Sequence, residues 1–207
     1  YGLHTISNIY YDTDNYAITR DSIDRPVYKE KLRVRAYGTP EPKTGQVFVE
    51  LKKKYDHVVY KRRIAVPIGE ADDFLTGGPD PKGADPQITR EIRYFMQRTK
   101  PEPKVYLSYQ RIAMAGREDP KLRITMDQEL LWRTYDLDLC LGPYGQLVLP
   151  EDMTLMEIKV PGTMPLWLAQ TLSRHEIYRS SFSKIGTCYT RFILPDIFDK
   201  KVVTTHV

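Results

Sequence analysis

The chain has 207 residues, with 31 Lys and Arg against 27 Asp and Glu (formal charge +4), 41% hydrophobic and 28% charged residues, and 15 tyrosines. This composition supplies a core and excludes disorder throughout, and no apolar run approaches the length of a membrane helix. The cysteines, Cys140 and Cys188, build no disulfide framework and no metal-ligand spacing, so a reducing, cytoplasmic setting is expected.

In chain order, Thr5 to Thr13 reads as a strand ending at the turn-prone Asp12-Thr13-Asp14-Asn15. Val27 to Tyr37 follows and closes at Gly38-Thr39-Pro40. Val47 to Tyr55 and Val58 to Val66 are separated only by Asp56 and His57, which predicts a hairpin. After Pro67 the pattern changes to a short helix, Glu70 to Leu75, stopped by Gly77-Gly78-Pro79. Gln87 to Gln97 predicts a helix with Ile88, Ile92, Phe95 and Met96 on one face. Strands resume at Lys104 to Met114, Lys121 to Leu131 and Leu155 to Val160. Helices are expected from Met164 to Ser173 and from about Ser181 to Phe192. Strands dominate and helices cluster between and after them, so one α+β domain over residues 1–207 is the simplest organisation.

Side chains alternate along a strand, so parity shows what each face holds. Lys29, Lys31, Arg33, Arg35 and Tyr37 share one face, opposite Glu30, Leu32, Val34 and Ala36. Phe48, Glu50, Lys52 and Lys54 oppose Val47, Val49 and Leu51, while Lys61 and Arg63 oppose Tyr60, Ile64 and Val66. Arg111 accompanies Tyr109; Arg123, Thr125 and Asp127 oppose Leu122, Ile124 and Met126; and Glu157 and Lys159 oppose Met156, Ile158 and Val160. The polar phase thus holds eleven cations against three carboxylates in a nearly balanced chain. A solvated outer face would mix the signs, whereas this one repels itself unless an anion lies against it. A flat basic sheet and a closed basic tunnel both fit; closure is favoured because the other face is apolar and helices are available to cover it.

The ordered set Ile9-Tyr10-Tyr11-Asp12-Thr13, Lys31-Leu32-Arg33-Val34-Arg35-Ala36-Tyr37-Gly38 and Val49-Glu50-Leu51-Lys52-Lys53-Lys54 resembles the VTC domain. That family is the polyphosphate polymerase branch of the triphosphate tunnel metalloenzymes. The likeness continues through Tyr109-Gln110-Arg111, Leu122-Arg123-Ile124-Thr125-Met126-Asp127, Met156-Glu157-Ile158-Lys159 and Ser183-Lys184-Ile185-Gly186, nearly end to end. The resemblance implies an antiparallel eight-stranded β-tunnel with supporting helices, and transfer of the ATP γ-phosphate onto a growing polyphosphate chain with Mn²⁺ or Mg²⁺. The family carries a further strand before the Tyr-Tyr-Asp segment; the segment read here begins at Tyr1, so on this segment the tunnel is expected to lack that wall strand.

Carried over by motif, Arg33, Arg35, Lys52, Lys61, Arg63, Arg111, Arg123 and Lys159 would bind phosphates. Ser183 and Lys184 would join Arg33 and Arg35 at the reacting phosphates, and Glu157 would hold the metal. Glu50 and Asp127 are open between metal ligand and charge balancer, and Tyr109 between adenine stacking and the core. Ser183 also reads as a helix cap. His4, His57, His175 and His206 form no metal-spaced set.

The expected partners are ATP and inorganic polyphosphate, with room for a membrane-bound partner. No P-loop is present: Gly77-Gly78 leads into Pro79, not Gly-Lys-Ser or Gly-Lys-Thr. Nucleic acid is not expected, because the cations are not interleaved with exposed stacking aromatics. Two further functions suit the same residues: a triphosphatase using water as acceptor, and a non-catalytic module that binds polyphosphate or inositol phosphate.

Overall fold

The computed structural model describes residues 2–198; Tyr1 and His206 lie outside them. The elements are β1 (Leu3–Asp12), α1 (Ala17–Ile23), β2 (Tyr28–Tyr37), β3 (Gln46–Tyr55), β4 (Val58–Pro67), α2 (Ile68–Leu75), α3 (Pro86–Thr99), β5 (Glu102–Ala115), β6 (Arg123–Arg133), β7 (Gln146–Leu147), β8 (Leu155–Lys159), α4 (Leu166–Arg174) and α5 (Lys184–Cys188). A π-helical turn, Tyr189–Ile193, continues α5. The eight strands form one antiparallel sheet in the order β4-β3-β2-β1-β5-β6-β7, with β8 on β6. The tail half of β6 pairs with β7 and the leading half with β8.

The expected α+β antiparallel architecture is present, with one difference. Among the described residues no ladder joins β4 to β8, so the sheet is not a hydrogen-bonded ring. Lys52 on β3 nonetheless lies within electrostatic reach of Glu157 and Lys159 on β8, five strands away along the sheet. No helix among the described residues is long and apolar enough to cross a membrane.

Two cores lie on opposite faces. On the outer face, Leu32, Val34, Val47, Val49, Leu51, Ile64 and Val66 pack against Ala71 and Phe74 of α2 and Ile92 and Phe95 of α3. The face expected for the second helix is confirmed, with Ile88 and Met96 flanking it. A helix of 14 residues is marginal in water by itself. Asp85 caps α3, accepting from the Gln87 and Ile88 amides, and Glu91 anchors it to the sheet by accepting from Lys53 and Arg62. Those two cations sit on the apolar phase of their strands and serve the helix.

The second core occupies the concave face of β1, β5 and β6. Ile6, Leu107, Leu130 and Trp132 receive Ile185, Cys188, Tyr189 and Ile193 from the C-terminal helix. A β-bulge makes this possible. Ser108 faces Leu131 and Gln110 faces Gln128, so β6 carries one extra residue there, and Glu129 takes φ 50°. The extra residue reverses the phase, placing Leu130 and Trp132 on the same face as Asp127.

Arg133 closes β6 and is 1% exposed. Its guanidinium lies between the rings of Tyr106 and Tyr144, at 3.5 and 3.9 Å from their centroids. It donates to the carbonyls of Asp136, Asp138, Gly142 and Tyr144, so one side chain organises the whole 134–146 loop. Arg133→Met removes every one of those donors from a buried loop, and should lower the unfolding free energy in urea by about 3 kcal/mol or more. Arg133→Lys should fall between, because an ammonium lacks the planar fork. Unchanged urea midpoints for both would show that the loop holds itself.

Candidate functional site

The concave face is organised in ranks that cross β2, β3 and β4. Arg33, Glu50 and Arg63 are directly opposite one another, and Lys31, Lys52 and Lys61 form the next rank toward the β3–β4 turn. Glu50 is 1% exposed and is the anionic centre of the first rank. Its Oε2 accepts from Arg33 Nε at 2.8 Å and its Oε1 from Arg63 Nε at 2.6 Å. Lys61 Nζ lies 3.2 Å and Arg35 Nε 3.9 Å away. Burial opposes ionisation of Glu50, but Arg33 and Arg35, with hydrogen bonds from Arg33 and Arg63, outweigh it and hold the carboxyl at about 2.

Two tyrosines aim the arginines. Arg33 donates to Tyr10 Oη at 3.1 Å, and Arg35 donates to Asn8 Oδ1 at 2.9 Å and Tyr109 Oη at 3.2 Å. Burial would raise the Tyr10 hydroxyl, yet Arg33 and Arg35 bring it below its ordinary range. Burial, reinforced by Lys29, Lys52 and Arg33 against the pull of Tyr10, pushes the Lys31 ammonium down to about 8.

A second cluster lies on β5, β6, β8 and α5. Asp127 is fully buried and accepts from Arg111 Nε at 2.6 Å and Nη2 at 2.7 Å, a bidentate pair. Lys184 Nζ lies 2.7 Å from Asp127 Oδ2 and 2.7 Å from Glu157 Oε1, and 4.6 Å from the centroid of the Tyr109 ring. Burial disfavours the Lys184 ammonium, but Tyr109, Asp127 and Glu157 raise it above the usual lysine range. Glu157 is held low by Lys184 and Arg111 against the effect of burial. Thr125 Oγ1, on the same face and opposite Glu157 in register, is buried without a hydrogen-bond partner.

This arrangement brings together most of the residues expected from sequence and redefines some. Arg33, Arg35, Glu50, Lys61 and Arg63 form one cluster, and Arg111, Asp127, Glu157 and Lys184 another, with Tyr109 touching Arg35, Arg111 and Lys184. Lys52 is near enough to Glu157 and Lys159 for their charges to act on its ammonium, and Arg123 is opposite Lys159 in register at the start of β6. Ser183 accepts from the Gly186 amide as the cap of α5 and also receives Lys31 Nζ at 3.3 Å. Tyr109 is 3% exposed and packs in the inner core with cations around its ring. Arg35 is 7% exposed and enclosed by Asn8 and Tyr109.

The three carboxylates do not make one metal set: among the described residues no group of three His, Cys, Asp or Glu side chains is placed to share an ion. Glu50 is encircled by guanidinium and ammonium groups. Asp127 and Glu157 are different. They already converge on one cation, Lys184, and a pair of carboxylates completed by phosphate oxygens suits a hard divalent ion. Sequence reasoning missed Asn8 and Tyr10, because β1 mixes polar and apolar residues on both faces and offers no contrast in parity. Lys31 stood in the basic row without being singled out.

A family model described as the VTC domain matches residues 1–193. The crystal structure of a proposed adenylate cyclase from Bacillus halodurans matches with a TM-score of 0.52 at 14% sequence identity, covering 92% of this chain and 82% of that one. At that identity the likeness is one of fold. No curated protein matches the sequence.

The depressed Glu50 carboxyl gives a signed prediction. Its pKa falls from 4.5 unfolded to about 2 folded, so the stabilisation is complete above pH 4.5 and fades as the pH drops toward 2. Glu50→Gln should cost about 3 kcal/mol at pH 7, measured by urea unfolding. The gap between the two proteins should close progressively in acid. A gap that stays constant from pH 7 to 3 would remove Glu50 from the centre of the charge network.

Proposed function

Because the chain belongs to the VTC domain family, within the triphosphate tunnel fold, we propose that it is a metal-dependent phosphotransferase that extends inorganic polyphosphate from ATP. The observation that carries this reading is the convergence of cations from β2, β3, β4, β5, β8 and α5 on one concave face where, among the described residues, Glu50, Asp127 and Glu157 are the carboxylates that meet them. Such a surface stays charged only at the cost of self-repulsion, and a chain of phosphates relieves it.

Phosphoryl transfer asks little covalent chemistry of a protein; positioning and charge neutralisation supply most of the rate. Arg33 and Arg111, each locked by a carboxylate and flanked by a tyrosine ring, offer planar forks in fixed orientations, which suits phosphate oxygens. Arg63, Lys52 and Lys61 add charge along the wall, Arg123 and Lys159 add it at the rim, and Arg35 holds Tyr109 in place. Lys184, anchored at the start of α5 by the Ser183 cap, sits between the two halves and neutralises charge developing at the reacting phosphates. A divalent ion, Mn²⁺ or Mg²⁺, would be held by Glu157 and Asp127 and would stabilise the charge passing to the leaving ADP.

Incubation of the protein with ATP and Mn²⁺, with products resolved on a gel and free phosphate assayed in parallel, tests the reading. Polymer supports it; free phosphate without polymer makes the protein a triphosphatase on the same site; neither product argues for a binding module. Glu157→Gln should lower kcat by about 10²–10³-fold, the effect of losing one transition-state-stabilising group, while polyphosphate binding persists. Turnover at the unmodified rate would overturn the assignment of Glu157.

A further inference from the structure

Positive charge on the concave face continues well beyond the clusters described above. In the rank after Arg33–Glu50–Arg63, Lys31 is opposite Lys52 and Lys52 is opposite Lys61; in the next, Lys29 is opposite Lys54. Side chains directly opposite on adjacent strands lie about 5 Å apart, and like charges in that relation destabilise a sheet. Among the described residues, no carboxylate lies within ion-pair distance of Lys29, Lys31, Lys52 or Lys54, and Lys61 meets only Glu50. Lys29 donates to the Ser22 carbonyl, a neutral acceptor that leaves its charge intact. Its ammonium is lowered by burial and then by Lys54, Arg25 and Lys52.

The row has direction and length. It starts where Glu50 stops neutralising the wall and runs toward the β3–β4 turn. From Arg33 to Lys29 is four residues of strand, about 13 Å at the usual rise. A triphosphate seated at Arg33 covers only the first part of that path. The exposed Tyr28 and Tyr55 at the same end belong to the opposite phase of their strands, so no aromatic is interleaved with these lysines. A polyanion without bases fits such a surface better than a single-stranded nucleic acid does.

We propose that Lys29 and Lys54, continuing from Lys52, form an outer track that holds the distal phosphates of a linear polyphosphate, so that the site selects a long chain over a triphosphate. This rests on the reading that the concave face binds phosphates. The track gives the growing polymer a favourable place after each addition, which a triphosphatase has no use for.

The test compares tripolyphosphate with long-chain polyphosphate by calorimetry at fixed salt, using the full chain and its double variant Lys29→Gln/Lys54→Gln. The unmodified protein should bind the long chain at least tenfold more tightly per molecule. The double variant should lose most of that advantage and show a shallower salt dependence, with tripolyphosphate affinity within twofold and a melting temperature no lower than that of the unmodified protein, since a repulsive pair has been removed. Comparing the chain-length advantage between the two proteins cancels the statistical gain of a longer ligand. Equal advantages in the two proteins, or parallel losses for both ligands, would overturn the track. Failure of the unmodified protein to bind tripolyphosphate at all would instead overturn the functional reading beneath it.

Discussion

Mutual repulsion among cations is the constraint from which the arrangement of this molecule follows. The sheet directs Lys and Arg from β2, β3, β4 and β5 inward and supplies few carboxylates to meet them. Glu50 absorbs much of the stress in the first rank by serving Arg33, Arg63 and Lys61 at once. Asp127 and Glu157 do the same for Arg111 and Lys184. Each carboxylate also fixes a guanidinium in one orientation, so the groups that make the fold tolerable are those that give the surface its geometry. Charge left over, on Lys31, Lys52 and Lys54, meets no carboxylate within ion-pair distance among the described residues.

Placing one core outside and the other inside the curved sheet has a mechanical result. The outer core, capped by α2 and α3, stiffens β2, β3 and β4, which carry most of the basic ranks. The inner core seats the C-terminal helix within the concavity, where its first residue reaches Asp127 and Glu157. Lys184 therefore owes its position to Ile185, Cys188 and Tyr189 packing on β1, β5 and β6, and not to any loop. The bulge at Glu129 is the hinge of this design, since without the phase reversal Leu130 and Trp132 would point away from the helix.

Much of this was legible in the amino-acid order, for a physical reason. Strands with one apolar and one basic phase announce their faces, so β2, β3 and β4 were read nearly to the residue, and the Asp56-His57 turn placed their hairpin. The helix bearing Ile92 and Phe95 was equally plain. What escaped depends on tertiary context. Helix α1 has a charged and unpatterned sequence and forms after a turn whose Asp12 carboxylate accepts from the Ile18 and Thr19 amides, a contact no periodicity reveals. Arg133 looked like any surface arginine, and its four carbonyl partners come from a loop whose one regular piece is a single 3-10 turn, Leu139–Leu141. Parity identified Glu50 as a lone carboxylate among cations but could not say which of them it meets; the distances to Arg33, Arg63 and Lys61 do.

The ammonium lodged between Asp127 and Glu157 carries one more implication. Two acidic groups facing an enclosed space would normally push apart or take up protons when nothing lies between them. Here the Lys184 ammonium lies between them, anchored at the first residue of α5. The spacing of the acidic pair is thus set by groups of the chain itself, with Arg111 held on Asp127 beside the ammonium.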